Sequence, residues 1–234
     1  MIKMKKLFLT LVLIMSGIVI AEAQDWANLN RFREANEKLG PARTCDDRVV
    51  FMGNSITQGW IEKVPSFFEN KPYINRGIGG QTTPQMLLRF RQDVLNLWPK
   101  VVVILAGTND IAGNTGPSTL EMIEDNIRSM TELAQAHGIQ VVLCSVLPAH
   151  DYSWSKGKDP ANKIPELNKR VQQYAATKGA VYCDFFSAMV DERNGLPAEL
   201  SEDGVHPNEA GYAIMAPLVE QSIARALLMW REFK

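Results

Sequence analysis

The chain is poor in the residues that staple small or metal-dependent proteins. It has three cysteines, Cys45, Cys144 and Cys183, and three histidines in 234 residues. No C-x-x-C and no Cys/His cluster with ligand spacing occurs, so a structural zinc module is excluded. An odd cysteine count at wide spacing is no disulfide framework. Cys144 and Cys183 fall in apolar runs and read as small buried hydrophobes, with pairing between any two left open. Charge of one sign is also missing. Lys+Arg number 25 and Asp+Glu 26, a formal net charge of -1. That disfavours nucleic acid as a partner, and no block of like charges forms a tail. Internal repeats and low-complexity stretches are absent. So is any apolar run of the ~20 residues that a membrane span needs.

What the amino terminus does have is a shorter run. Lys3, Lys5 and Lys6 precede the apolar stretch 7–20, and Ala21-Glu22-Ala23 follows. This is the layout of a cleaved export signal over 1–23, with cleavage after Ala23 and a mature domain over 24–234. The expectation is a periplasmic or secreted protein with no stable membrane insertion once the signal is cut. Removing three lysines and one glutamate leaves 22 basic and 25 acidic side chains.

Over the whole chain 46% of residues are hydrophobic and 22% charged, ordinary for a folded protein. Short runs rich in Val, Ile and Leu lie at 48–52, 72–75, 100–106, 139–147 and 180–186. Continuous apolar runs of this kind fit strands buried on both faces of a parallel sheet. Helical patterns fill 25–39, 84–97, 119–137, 164–178 and 207–230. Gly138 and Gly179 mark two helix ends, Pro207 suits a first turn, and Pro217 is expected to kink the last helix. The alternation predicts one three-layer α/β/α sandwich around a five-stranded parallel sheet. In such sheets ligands sit at the carboxyl ends of the strands.

Four polar clusters fall at or near those ends. GNSIT (53–57) puts Ser55 on a turn after the first strand, where a nucleophilic hydroxyl could stand; Ser55 as a helix cap is the plainer alternative. GIGGQTT (77–83) has three glycines in four residues, so its N–H groups could hold an oxyanion. A phosphate cradle is the rival there, but the spacing misses G-x-G-x-x-G and no Walker lysine follows. GTND (107–110) offers the Asn109 amide and the Asp110 carboxylate, or simply a polar turn. DGVH (203–206) sets Asp203 three residues before His206, where a curled loop brings carboxylate and imidazole together. His137, at a helix end, and His150, in a loop, are less suited to a base.

Taken together, in this order, the four stretches resemble the SGNH (GDSL-type) hydrolase family, across 48 to about 220. GNS stands where the family often has GDS. GIGGQTT and GTND look closest to the branch with platelet-activating-factor acetylhydrolase-like and carbohydrate esterases. The resemblance implies a flavodoxin-like SGNH fold and a carboxylic ester hydrolase that needs no metal or organic cofactor. It implies Ser55 as nucleophile, His206 as base and then acid, and Asp203 as its orienting carboxylate. It makes the backbone N–H groups of Ser55 and Gly80 and the Asn109 side chain the oxyanion hole. Asp110 is expected to be structural.

The expected substrate is a short-chain, chiefly acetyl, ester of a small molecule or glycan. A lysophospholipase- or thioesterase-type acylhydrolase is the alternative, with a non-catalytic glycan-binding module behind it. The polar loop 150–161 carries Tyr152 and Trp154, placed to stack on a sugar, and Trp60 could line the acyl pocket.

Overall fold

The computed structural model describes residues 25–232. The expected export signal over 1–23 lies outside the described residues. Within them the elements are α1 (Arg33–Leu39), β1 (Val49–Gly53), α2 (Ser55–Lys63), β2 (Tyr73–Gly77), α3 (Thr83–Asp93), β3 (Val101–Leu105), α4 (Thr108–Ala112) and α5 (Leu120–Ala136). They continue with β4 (Gln140–Cys144), α6 (Pro160–Lys178), β5 (Val181–Cys183), α7 (Phe186–Met189) and α8 (Glu209–Glu232). All five expected strands form, in one parallel sheet of order β2-β1-β3-β4-β5.

Alternate strand residues feed two cores. Val50, Met52, Val102, Ile104, Val141 and Leu143 meet Met86 and Phe90 of α3, Ile123 and Ile127 of α5, and Leu167 of α6. Val49, Phe51, Val101, Val103, Val142 and Cys144 face Trp60 of α2 and Tyr212, Met215 and Val219 of α8. Two-sided burial is why these strands read as unbroken apolar runs rather than alternating ones.

The chain reverses its direction of travel at β1, with β2 on one side and β3 on the other. The crevice outside the carboxyl ends of β1 and β3 is the switch point where such folds bind ligands. In register, Gly53 ends β1 beside Gly77 of β2 and Leu105 of β3. A Cβ on Gly53 would lie 2.0 Å from Thr57 Oγ1, and one on Gly77 2.2 Å from the Gln58 nitrogen. Both glycines are required because α2 starts directly on top of the strand ends.

Several expected boundaries move. Residues 25–32 are turns rather than helix, since the Asp25 carboxylate takes the N–H groups of Leu29 (2.7 Å) and Asn30 (2.9 Å) and Asn28 has φ +55°. The last helix begins at Glu209, not Pro207, because Pro207 is held in a bridge to Ser201. It runs unbroken through Pro217. Helix α6 begins four residues early, at Pro160, which shortens the 150–161 loop. Helix α3 gives way at Asp93 to a separate 3-10 turn, Leu95–Leu97.

Candidate active site

Ser55 is the first residue of α2, and Asn54 caps that helix by accepting the Ile56 N–H at 3.0 Å. The cap works through a side-chain oxygen, which Asp and Asn both supply; that is why GNS can stand for GDS. Ser55 Oγ lies 2.8 Å from His206 Nε2, and His206 Nδ1 lies 2.6 Å from Asp203 Oδ2. The other oxygen of Asp203 accepts the N–H groups of Val205 (2.9 Å) and His206 (2.8 Å). Burial alone would raise the Asp203 carboxyl, yet those N–H bonds and the imidazole hold it down at about 2. Ser201 adds a tie: its Oγ is 2.8 Å from the His206 carbonyl and 3.1 Å from Asp203 Oδ1. The DGVH loop is thus curled by its own main chain, with Gly204 at φ +76°.

Across from Ser55 stands the glycine loop. A Cβ on Gly79 would be 3.9 Å from that of Ser55. The Gly79 N–H is occupied, donating to Gln58 Oε1 at 2.7 Å. The Gly80 N–H, at φ +75°, has no acceptor among the described residues. Asn109 is buried, and one amide hydrogen goes to the Gln81 carbonyl at 3.0 Å, which leaves its second donor available. The Ser55 N–H belongs to the first turn of α2, where helices leave N–H groups free and favour negative charge. Asp110 takes no part in this row. It is buried and accepts the Thr83 N–H (2.9 Å) and Thr83 Oγ1 (2.6 Å), tying β3's end to the start of α3. Burial lifts it to about 6 against the Thr83 hydrogen bonds.

Two of the expected substrate contacts are corrected. Tyr152 is fully buried and its hydroxyl pairs with Thr108 Oγ1 at 2.9 Å, so it anchors the loop and cannot meet a sugar. Trp60 is also buried, stacked at 4.6 Å on Phe67 and 5.3 Å on Tyr212 in the core. Trp154 does stand at the surface, 45% exposed, its ring 6.2 Å from that of His206.

Sequence reasoning missed the supports. Arg89 is wholly buried and donates to Gln81 Oε1 (2.6 Å), Gly53 O (3.1 Å) and Asp93 Oδ2 (3.0 Å). It therefore fastens the end of β1, just before the nucleophile, to the glycine loop. Its signal was an arginine at a helix position where the neighbouring pattern demands core. Among the described residues no cluster of His, Cys, Asp or Glu could hold a metal, and no helix is long and apolar enough to cross a membrane.

A Ser–His–Asp chain at a sheet switch point, beside a glycine loop and an asparagine, defines a class of α/β acylhydrolase. The chain belongs to the GDSL-like lipase/acylhydrolase family, whose model matches residues 51–214. Its relatives include members of the branch that the motifs suggested. A GDSL-like lipase structure from Bacteroides thetaiotaomicron is 45% identical, with a TM-score of 0.84 over 86% of this chain and all of that one. A Bacillus subtilis lipoprotein, YqeF, is 38% identical over 44% of this chain and 51% of its own length. An acetylxylan esterase of Xylanibacter ruminicola is 25% identical over 75% of this chain and 43% of its own. The chain thus spans about half the length of these two relatives. Platelet-activating factor acetylhydrolase IB subunit alpha2 of Rattus norvegicus is 27% identical over 75% of this chain and 77% of its own.

Proposed function

We propose that the protein is a serine esterase that cleaves short acyl esters, chiefly acetyl, from a carbohydrate alcohol. The observation that carries the reading is the continuous chain Ser55–His206–Asp203, at 2.8 and 2.6 Å. Ser55 Oγ attacks the ester carbonyl as its proton passes to His206 Nε2. Asp203 keeps Nδ1 protonated and offsets the imidazolium charge. The new oxyanion is met by the N–H groups of Ser55 and Gly80 and the free amide hydrogen of Asn109. His206 then gives its proton to the leaving alkoxide, the C–O bond breaks, and the acyl group stays on Ser55. Water, deprotonated by His206, releases the acid and restores the serine.

A short acyl group is supported by the pocket at Ser55. It measures about 320 Å³, and Gln58, Glu62 and Lys63 line it. A long alkyl chain would meet the charged Glu62 and Lys63 there rather than an apolar wall. The named activities of the acetylxylan esterase and acetylhydrolase relatives point the same way. We read the protein as exported after cleavage at Ala23, with 24–234 as its single domain; the lipoprotein relative accords with an envelope or secreted site.

Hydrolysis of p-nitrophenyl acetate, butyrate and octanoate, with Ser55→Ala beside the native protein, tests the reading. Rates should fall with chain length and drop by at least ~10⁴ in the variant. Octanoate preferred over acetate would shift the reading to a lysophospholipase or thioesterase. Equal rates in both proteins would remove Ser55 as nucleophile.

A further inference from the structure

Two large indoles stand half-exposed in one cleft. Trp26 is 48% and Trp154 45% exposed. Both line a groove of about 640 Å³ that runs along Gly79 and Gly80. Two exposed tryptophans sharing a concave site beside a catalytic loop are a ligand surface rather than scattered surface apolarity.

The main chain that carries Trp26 and the indole of Trp154 are each held in place. The Trp26 carbonyl accepts Gln85 Nε2 at 2.6 Å, and the next carbonyl, of buried Ala27, accepts Gln81 Nε2 at 2.7 Å. Gln81 is the residue whose main-chain oxygen orients Asn109. The segment carrying Trp26 is therefore pinned to the oxyanion loop itself. On the other side, Trp154 Nε1 donates to Asn114 Oδ1 at 3.1 Å, and Asn114 Nδ2 to the Gly80 carbonyl at 3.1 Å. Little rotamer entropy of the Trp154 ring remains to be lost on binding.

Trp154 borders His206, the group that must protonate the departing alcohol, so this cleft takes the alcohol side of the ester. Asp25, Asn28, Asn114 and Thr115 stand around the rings, and Ile78 is the one other large apolar side chain in the lining. Flat apolar faces edged by hydrogen-bonding groups match a pyranose, whose C–H face is apolar and whose rim is hydroxyl. A lipid alcohol would find no continuous apolar wall. We infer that Trp26 and Trp154 together form the sugar subsite, which makes the segment 25–30, ahead of α1, part of the substrate site. The inference rests on the esterase reading above and deepens it.

The test compares an acetylated xylo-oligosaccharide with ethyl acetate, which has no ring to stack. For the native protein, Trp26→Ala, Trp26→Phe and Trp154→Ala, the quantity read is the ratio of kcat/KM on the two esters. Both alanine variants should lower that ratio about tenfold, through KM, and Trp26→Phe should recover much of it. A ratio unchanged within twofold in Trp26→Ala overturns the subsite, even if the enzyme is an esterase. The second measurement is independent of turnover. The Ser55→Ala protein is titrated with the same oligosaccharide by tryptophan fluorescence. Saturable quenching that weakens about tenfold on adding Trp26→Ala supports the subsite even if neither ester is hydrolysed. Saturable binding indifferent to Trp26→Ala, or no saturable binding, overturns it.

Discussion

Arg89→Met should be the most damaging substitution outside the catalytic chain, and its cost can be worked from the contacts. The guanidinium is fully buried and serves three acceptors. Gly53 O loses least, since it still accepts the Ile78 N–H at 3.1 Å. Gln81 Oε1 loses its donor, at a cost of about 1–3 kcal/mol for a buried acceptor left unpaired. Asp93 loses its ion-pair partner. Removing one half of a buried pair typically costs ~3–5 kcal/mol. Two neighbours soften this: Asn36 Nδ2 donates to Asp93 Oδ1 at 2.7 Å, and Arg76 feels the Asp93 charge, which partly opposes the burial that lowers Arg76 to about 10. A loss of about 4 kcal/mol is therefore expected, out of the ~5–15 kcal/mol of a typical domain.

Asp93→Asn should cost at least as much, because it leaves two buried guanidinium groups facing each other. Urea unfolding followed by circular dichroism reads both singles and the double variant. The double should lose at least ~1.5 kcal/mol less than the sum of the singles, the mark of coupled neighbours. Activity measured well below the unfolding midpoint should also fall in Arg89→Met, since the nucleophile turn and the glycine loop lose their common tie. Additive singles of less than ~1 kcal/mol each would refute the reasoning. The buried pair would then be incidental to both fold and site.

Two further predictions concern groups at the same sheet edge. Asn109→Ala should lower kcat about 10²–10³-fold with KM nearly unchanged, the cost of one oxyanion donor; a change confined to KM would place Asn109 in ground-state binding instead. Asp110 titrates at about 6 in the fold against the ordinary 3.8, so the folded state holds its proton more tightly than the unfolded chain does. Its penalty is absent below pH ~4, grows as pH rises through 6, and levels off near ~3 kcal/mol. Asp110→Asn should remove that part of the pH dependence, so that urea midpoints at pH 4.5 and 7 draw closer together. An unchanged slope would mean that another group carries it.

What was legible in the sequence divides by the physics that each residue answers to. The strands β1, β3 and β4 were readable because burial on both faces leaves an apolar run with no interruption, while the edge strand β2, with Asn75 and Arg76 in it, gave a weaker signal. Strand ends were less readable. Cys183 closes β5 although the apolar run continues, because Asp184 turns its carboxylate to the Ser187 N–H at 3.0 Å and opens a new helix. Helix starts failed where a side-chain or bridge bond outbid the local pattern, as at Asp25 and Pro207. The chemical residues were legible because each sits in a short motif at a strand end, and the parallel topology brings those ends together without further help.

The supports were not legible for the converse reason. Arg89, Gln81 and Asn36 are separated by up to tens of residues and meet only through the packing of α1 and α3 against the sheet. Arg89 even falls on the helix stripe shared by Met86 and Phe90, where a charge looks like an error in the pattern. A charge placed against the pattern is itself informative: burying a guanidinium is costly unless fixed acceptors await it. Here those acceptors are the end of the nucleophile strand, the oxyanion loop and one carboxylate. The same logic separates the aromatic residues. Tyr152 and Trp154 are two apart in one loop, yet the tyrosine hydroxyl finds Thr108 and goes inside, while the indole finds only Asn114 at the rim and stays out. Trp26 also stays out, and there it is the main chain that is fixed: its carbonyl accepts from Gln85 of α3, and that of Ala27 from Gln81 of the oxyanion loop. Within this loop each ring follows its polar atom, which sends the tyrosine to the core and leaves Trp154, beside Trp26, facing the cleft where an alcohol must leave. Stacking can outweigh that preference, since Trp60 is buried between Phe67 and Tyr212 with its Nε1 unpartnered among the described residues.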